Sequence, residues 1–270
     1  MNPFDLLFVN PLFNLLIAIY KGLAAAAIPG ALGFAIILLT IIIRLLVWPL
    51  TASQLKSTQK MAALKPHLDR IKAEHGHDKV RHQQEITKIY KEHGVNPLSG
   101  CLTAILQAVP FFALYNVLIK IVQVNSGDAL AKINERLYLP LLHLKEIPNT
   151  DFLGLDLATK PSQWREVGLL ILLIPIATGV LQFILSKMMA PTSAKLPVKV
   201  DGKQNIEDTM SQVQSQMVLF IPATLAYVAY TFPLGLSLYL NTFTVIGIVQ
   251  QYLIAGPGGL SKYLPEKWRK

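Results

Sequence analysis

Charge is what this sequence has least of. Asp, Glu, Lys and Arg make up only 15% of its 270 residues, against roughly 25% in soluble domains. Beside 52% hydrophobic residues, that shortage excludes a disordered chain and a charged coiled coil, and it disfavours a soluble enzyme. Cysteine is almost absent. Cys101 stands alone, so no internal disulfide can form and a small disulfide-stapled scaffold is excluded. The first twenty residues hold neither Lys nor Arg, so the basic start of a secretory signal peptide is not expected. Acidic residues number 16 against 25 basic ones, which leaves a net charge of +9. That sign suits an anionic membrane surface or a nucleic acid, and the placement of the charges decides between them.

What is present instead are long uncharged runs. Gly22–Ile43, Pro97–Ile119 and Val167–Ser186 carry no formal charge, and Thr209–Ser261 runs 53 residues without one. Crossing hydrocarbon takes about 20 apolar residues in a helix. Phe232-Pro233-Leu234-Gly235 divides the last run, because Pro and Gly at that spacing read as a tight turn. Buried helices of a soluble protein are the competing explanation, but those are rarely apolar on every face for so long. The sequence therefore predicts an all-α membrane protein with five transmembrane helices, over residues 30–51, 97–120, 166–188, 215–232 and 233–256.

Lys and Arg orient these spans. Residues 51–98 hold nine, residues 187–214 four and the tail after Gly256 four more, whereas Lys21 and the 120–165 connection together supply seven. The richer side is expected to be cytoplasmic. That places an extracytoplasmic N-terminus over 1–29 and an extracytoplasmic connection over 121–165. A helical hairpin over 52–96, a loop over 189–214 and a basic tail over 257–270 face the cytoplasm. Pro11–Ala27 is short of a span and includes Lys21, so an amphipathic helix along the outer interface is expected there. A sixth span is the alternative.

In the hairpin, Met61, Leu64, Leu68 and Ile71 recur at helical spacing. Val80, Ile86, Ile89 and Tyr90 follow after His75-Gly76-His77-Asp78. Two amphipathic helices joined by a polar turn fit this pattern, presenting Lys, Arg and His to solvent. Lys60 and Arg70 are its candidate functional charges, and Pro66 is expected to kink its first helix. Five histidines (His67, His75, His77, His82, His93) raise the question of a metal, but no ligand spacing supports one. No phosphate loop, nucleophile elbow or zinc-protease signature occurs. No metal, cofactor, small-molecule substrate or enzymatic activity is expected.

Arg44 is the most informative residue. It stands deep in the first span, where a charge costs about 2.5–3.5 kcal/mol on insertion scales. Snorkelling to the cytoplasmic headgroups is one explanation, and an arginine facing a wet cavity is the other. Gln107, Asn116, Gln182, Asn241 and Gln250-Gln251 are further polar residues at depth, where helix-to-helix hydrogen bonding is the default role. Pro110, Pro175 and Pro222 fall mid-span and loosen three helices.

One segment carries a resemblance. Lys91-Glu92-His93-Gly94-Val95-Asn96-Pro97-Leu98-Ser99-Gly100-Cys101-Leu102, running into Gln107-Ala108-Val109-Pro110-Phe111-Phe112-Ala113-Leu114-Tyr115, closely resembles the signature of the bacterial YidC membrane protein insertases. Arg44 with the Pro49-Leu50-Thr51 exit, Phe232-Pro233-Leu234-Gly235-Leu236-Ser237-Leu238-Tyr239 and Gln250-Gln251 resemble it too. The resemblance covers about residues 5–256. It implies a five-helix core with a hydrophilic groove open to cytoplasm and lipid, in the bacterial cytoplasmic membrane. The family's groove arginine corresponds to Arg44 and its third-helix glutamine to Gln182, and Gln107 and Asn241 complete the expected groove. Tyr239 is followed by Leu240 where the family usually has Trp, so a role for that Trp does not transfer. The chain resembles a minimal member without the large extracytoplasmic domain.

The implied function is insertion and folding of small membrane proteins from the cytoplasmic side, without nucleotide hydrolysis. Nascent membrane proteins and the lipid bilayer are the expected partners. The Sec translocon is a further candidate partner, and the ribosome another through the basic tail. A monomer is expected to suffice. A small-solute or ion transporter is the alternative, disfavoured because no internal repeat or paired broken helix is visible.

Overall fold

The computed structural model describes residues 3–75, 78–94, 108–117, 119, 127–190, 206–263 and 265. Helices dominate: α1 (Asn10–Ala25), α2 (Ala31–His75), α3 (Lys79–Glu92), α4 (Ala108–Val117), α5 (Gly127–Asn134), α6 (Trp164–Val167), α7 (Leu173–Met189), α8 (Ile206–Thr231) and α9 (Leu234–Ala255). A two-stranded hairpin, β1 (Asp151–Phe152) and β2 (Leu155–Asp156), interrupts them. This is an all-α membrane protein. Four helical segments are long and apolar enough to cross a bilayer: Asp5–Ala25, Ala31–His75, Leu169–Met189 and Leu234–Ala255. Ala108–Val117 and Val218–Thr231 are shorter apolar helices. Most of the expected second span, residues 97–107, lies outside the described residues, as do 191–205 of the expected cytoplasmic loop and 266–270 of the tail.

The first helix departs from the sequence reading. It begins at Asp5 rather than Pro11, giving 21 helical residues where the sequence read a segment short of a span. The physical reason is a π-turn over Asp5–Val9, with the Asn10 N–H donating to the Asp5 carbonyl. Pro11 has no N–H to return to the preceding turn, and the wider turn lets the helix continue past it. The helix stops at Ala25, where Ala27 turns to a φ of 54° just ahead of Pro29.

The chain forms two compact units, the first comprising residues 1–46, 106–182 and 222–246. Its core takes Leu16 and Ile17 from α1, Ile36 and Leu39 from α2, Leu114 from α4 and Leu236 and Tyr239 from α9, all buried. Within hydrocarbon such cores are held by close packing and not by exclusion of water. Gly179 of α7 serves the same end, since a Cβ there would lie 3.1 Å from that of Ala226 on α8.

The connection over 127–168 is bound to the helix ends. Leu234 and Gly235 open α9, where backbone N–H groups lack intrahelical partners; they donate to the carbonyls of Thr159 and Leu157, each at 2.9 Å. Asn14 of α1 donates to the Arg136 carbonyl and accepts the Tyr138 N–H at 2.7 Å. Lys21 donates to the carbonyls of Leu141 and His143, and Asp5 pairs with Arg136 at 3.6 Å.

The second unit comprises 47–105, 183–221 and 247–270. Where the sequence expected a span ending at 51 and a separate hairpin helix, α2 continues unbroken through Pro49 and Pro66 to His75. Around Pro49 the backbone is supported by side chains. Thr51 Oγ1 lies 3.2 and 3.0 Å from the carbonyls of Val47 and Trp48, and Gln250 Nε2 donates to Thr51 Oγ1. Asp78 caps α3 by accepting the N–H groups of Val80 and Arg81. The hairpin buries Leu64, Ile71 and Ile86. His82, one turn before Ile86, is buried with them and not turned to solvent as expected of the histidines.

Candidate functional site

Arg44 is the fourteenth residue of α2, about 20 Å along the helix from its start. Its neighbours Leu45 and Leu46 point outward at 59% and 73% exposure, whereas Arg44 is 3% exposed. The helix therefore turns lipid-facing leucines one way and the guanidinium the other. Snorkelling is the reading this geometry overturns, because the side chain runs inward to α9. Nε and Nη2 both donate to the Phe243 carbonyl, at 3.2 and 2.7 Å. The guanidinium carbon sits 3.5 Å from the centroid of the Phe243 ring, a cation–π distance. Tyr239, one turn earlier on α9, is buried with its ring 5.7 Å from that of Phe243 and 6.4 Å from that of Phe111. Arg44 thus rests on an aromatic ring and a backbone carbonyl of α9.

Gln182 of α7 meets α9 elsewhere, at Thr244. Its Oε1 lies 3.2 Å from the Thr244 hydroxyl, which also lies 2.8 Å from the Leu240 carbonyl. The hydroxyl has one proton, so it serves one acceptor at a time. Asn241 sits near that side of α9, and its buried Oδ1 has no hydrogen-bond partner among the described residues. Successive residues of a helix are about 100° apart, so Arg44 at Phe243 and Gln182 at Thr244 meet α9 from different directions. Gln107 lies outside the described residues. Lys60, Pro66 and Arg70 are exposed on α2.

Phe243, Tyr239 and Thr244 are the partners that the sequence reading missed. The available signal was their spacing, since Tyr239 and Phe243 stand four apart on one face of a span.

Gln250 and Gln251 have structural work in the second unit. Gln250 braces the Pro49 turn, and Gln251 donates to the Met188 carbonyl at 3.4 Å. Thr58, Gln59, Met188, Gln251 and Gly258 line a cavity of about 380 Å³ there.

The family model described as 60Kd inner membrane protein matches residues 24–257, from the last turn of α1 past the end of α9. This chain belongs to that family. The match takes in Arg44, Gln107, Gln182 and Asn241. Among related members, the inner membrane ALBINO3-like protein 1 of Chlamydomonas reinhardtii, a chloroplast protein, is 28% identical over 266 residues. That alignment covers 95% of this chain and 50% of the relative. The membrane protein insertase YidC of Streptomyces avermitilis is 29% identical over 241 residues, 88% of this chain and 54% of its own length. That of Pseudoalteromonas atlantica is 30% identical over 225 residues, 83% and 33% respectively. The chain spans about a third to a half of the length of these relatives.

Proposed function

We propose that this chain inserts small membrane proteins into the bilayer, offering a polar path part-way through the membrane instead of hydrolysing a nucleotide. The observation that carries this reading is Arg44, a buried cation deep in α2 whose guanidinium rests on the ring and carbonyl of Phe243. A substrate carboxylate is a stronger acceptor for a guanidinium than a carbonyl is, so an acidic tail entering from the cytoplasm gains a partner where hydrocarbon offers none. Polar groups at Gln107, Gln182 and Asn241 lower the desolvation cost for the rest of the tail. The substrate's apolar helix then partitions into lipid. The hairpin, through Lys60, Pro66 and Arg70, receives nascent chains alone or beside the Sec translocon and the ribosome.

In this reading the N-terminus is outside and the C-terminus inside a bacterial cytoplasmic membrane, with spans over 30–51, 97–120, 166–188, 215–232 and 233–256. The count of Lys and Arg supports it. The bonds along α1 support it as well. Asp5, Asn14 and Lys21 all bind the 136–143 segment, over about 24 Å of helix. In this reading a segment carrying Arg136 that follows α1 for that distance lies at headgroup level, with α1 along the outer interface.

Two measurements test these statements. In pure liposomes holding only the purified chain, a small single-span substrate is expected to insert and become protected from protease added on the synthesis side. Protection no better than in empty liposomes would remove the proposal. With Cys101 replaced, cysteines placed at Pro140 and Lys270 are expected to react with an impermeant reagent from opposite sides, and reaction of both from one side would reverse the topology.

A further inference from the structure

The short hairpin between Asp151 and Asp156 turns on Leu153 and Gly154. Both residues have positive φ, 56° and 80°, as in the mirror-image two-residue turns that favour Asn-Gly or Gly-Gly. A leucine in the left-handed region crowds its Cβ against the backbone, a strain that Asn tolerates better. The side chain so held makes little contact with the protein: Leu153 is 80% exposed. A bulky apolar group kept in an unfavourable conformation and left uncovered points to a partner outside the chain.

The position of the hairpin identifies that partner. A Cβ on Gly30 would lie 3.6 Å from the Cα of Phe152, and one on Gly33 would overlap its ring. Phe152 therefore sits against the opening turn of α2, where the uncharged run enters the membrane. Consecutive Cα atoms are about 3.8 Å apart, so Leu153 begins one such step from that contact. The carbonyls of Leu157 and Thr159 fix the same connection to the first turn of α9. The hairpin is tied to the starts of two apolar helices, each long and apolar enough to cross a bilayer, and the start of such a helix is where headgroups meet hydrocarbon. The carboxylates of Asp151 and Asp156 accept the N–H groups of Gly154 and Ala158, at 3.2 and 2.8 Å, and the tip between the two acidic residues, Phe152 to Leu155, carries no charge.

We infer that the tip of this hairpin is a membrane anchor, with Leu153 inserted into the leaflet at the start of α2 and lipid as its partner. This goes beyond the insertase reading and does not depend on it.

The test uses the full chain carrying Cys101→Ala and Leu153→Cys, labelled with a nitroxide and reconstituted in phosphatidylcholine–phosphatidylglycerol vesicles. Collisions with oxygen, which concentrates in hydrocarbon, are compared with collisions with a water-soluble nickel chelate. At position 153 oxygen is expected to exceed the chelate several-fold, and the ratio is expected to reverse for Lys145→Cys, an exposed site in the same connection. Chelate access at 153 equal to that at 145 would overturn the inference. Low access to both reagents would mean contact with protein and would overturn it equally. If the labelled 153 variant does not fold, Leu155→Cys on β2 takes its place, with the same excess of oxygen expected and chelate access overturning the inference.

Discussion

Arg44→Ala is expected to abolish insertion of substrates whose translocated tails are acidic, while substrates with neutral tails still insert. Losing one member of a desolvated charge pair costs about 2–5 kcal/mol, which corresponds to a fall of about thirtyfold or more in rate or affinity. The neutral-tailed substrates report whether the variant still folds. Arg44→Lys is expected to keep most of the activity. Nε and Nη2 converge on one oxygen, the Phe243 carbonyl, so a lysine that reaches that oxygen keeps this bond. An ammonium also supplies the charge that the Phe243 ring accepts. A site that needed both prongs of the fork would discriminate strongly between the two side chains. Measuring both variants on paired substrates in liposomes decides the matter: wild-type insertion of acidic tails by Arg44→Ala would remove the residue from the mechanism.

The second large effect is structural. Gly33→Ala places a methyl group where the Phe152 ring lies, on top of Cδ2 and Cγ. In an open helix this change favours folding by about 1 kcal/mol. Here the ring must leave its seat against Phe34, whose centroid is 5.2 Å away at 82°. Overpacking of this kind costs about 1–3 kcal/mol, so the net sign is expected to be destabilising. In a Phe152→Ala background the obstacle is gone and the same substitution is expected to stabilise. Thermal unfolding of the four proteins in one detergent gives the cycle. Equal effects of Gly33→Ala in both backgrounds would show that the close approach carries no energy.

The parts of this molecule that were legible in the sequence are those with local signals. Long uncharged runs announce apolar helices, and α2, α7 and α9 lie where those runs lie. A lone arginine in such a run stands out because charge there is costly. Its holder does not stand out. Phe243 in an apolar span looks like any other filler, and its backbone carbonyl leaves no trace in the sequence at all. The seat of Phe152 on Gly33 joins distant parts of the chain with no local pattern. Prolines misled in both directions. Pro11 marked no start because a π-turn carries the helix past it, and Pro49 marked no end, since α2 runs on through it with Thr51 and Gln250 bonded just beyond. Pro175, expected mid-span, lies in the first turn of α7 after a 3-10 turn over Leu169–Leu172, where a missing N–H costs little. His82 was expected in solvent because histidines cluster in a charged hairpin, yet its register places it one turn from Ile86 on the buried face.

The bond from Arg44 to the Phe243 carbonyl also bears on timing. An arginine with an internal acceptor is never offered bare to an arriving tail, since the carbonyl competes for it throughout. Each substrate carboxylate must displace that acceptor, and the acceptor stays one side-chain movement away. On the proposed reading, occupancy is then self-limiting: the dwell time of a tail is set by the difference between two acceptors, and not by the full strength of a buried ion pair. A carrier that must release every cargo into lipid gains turnover from that subtraction.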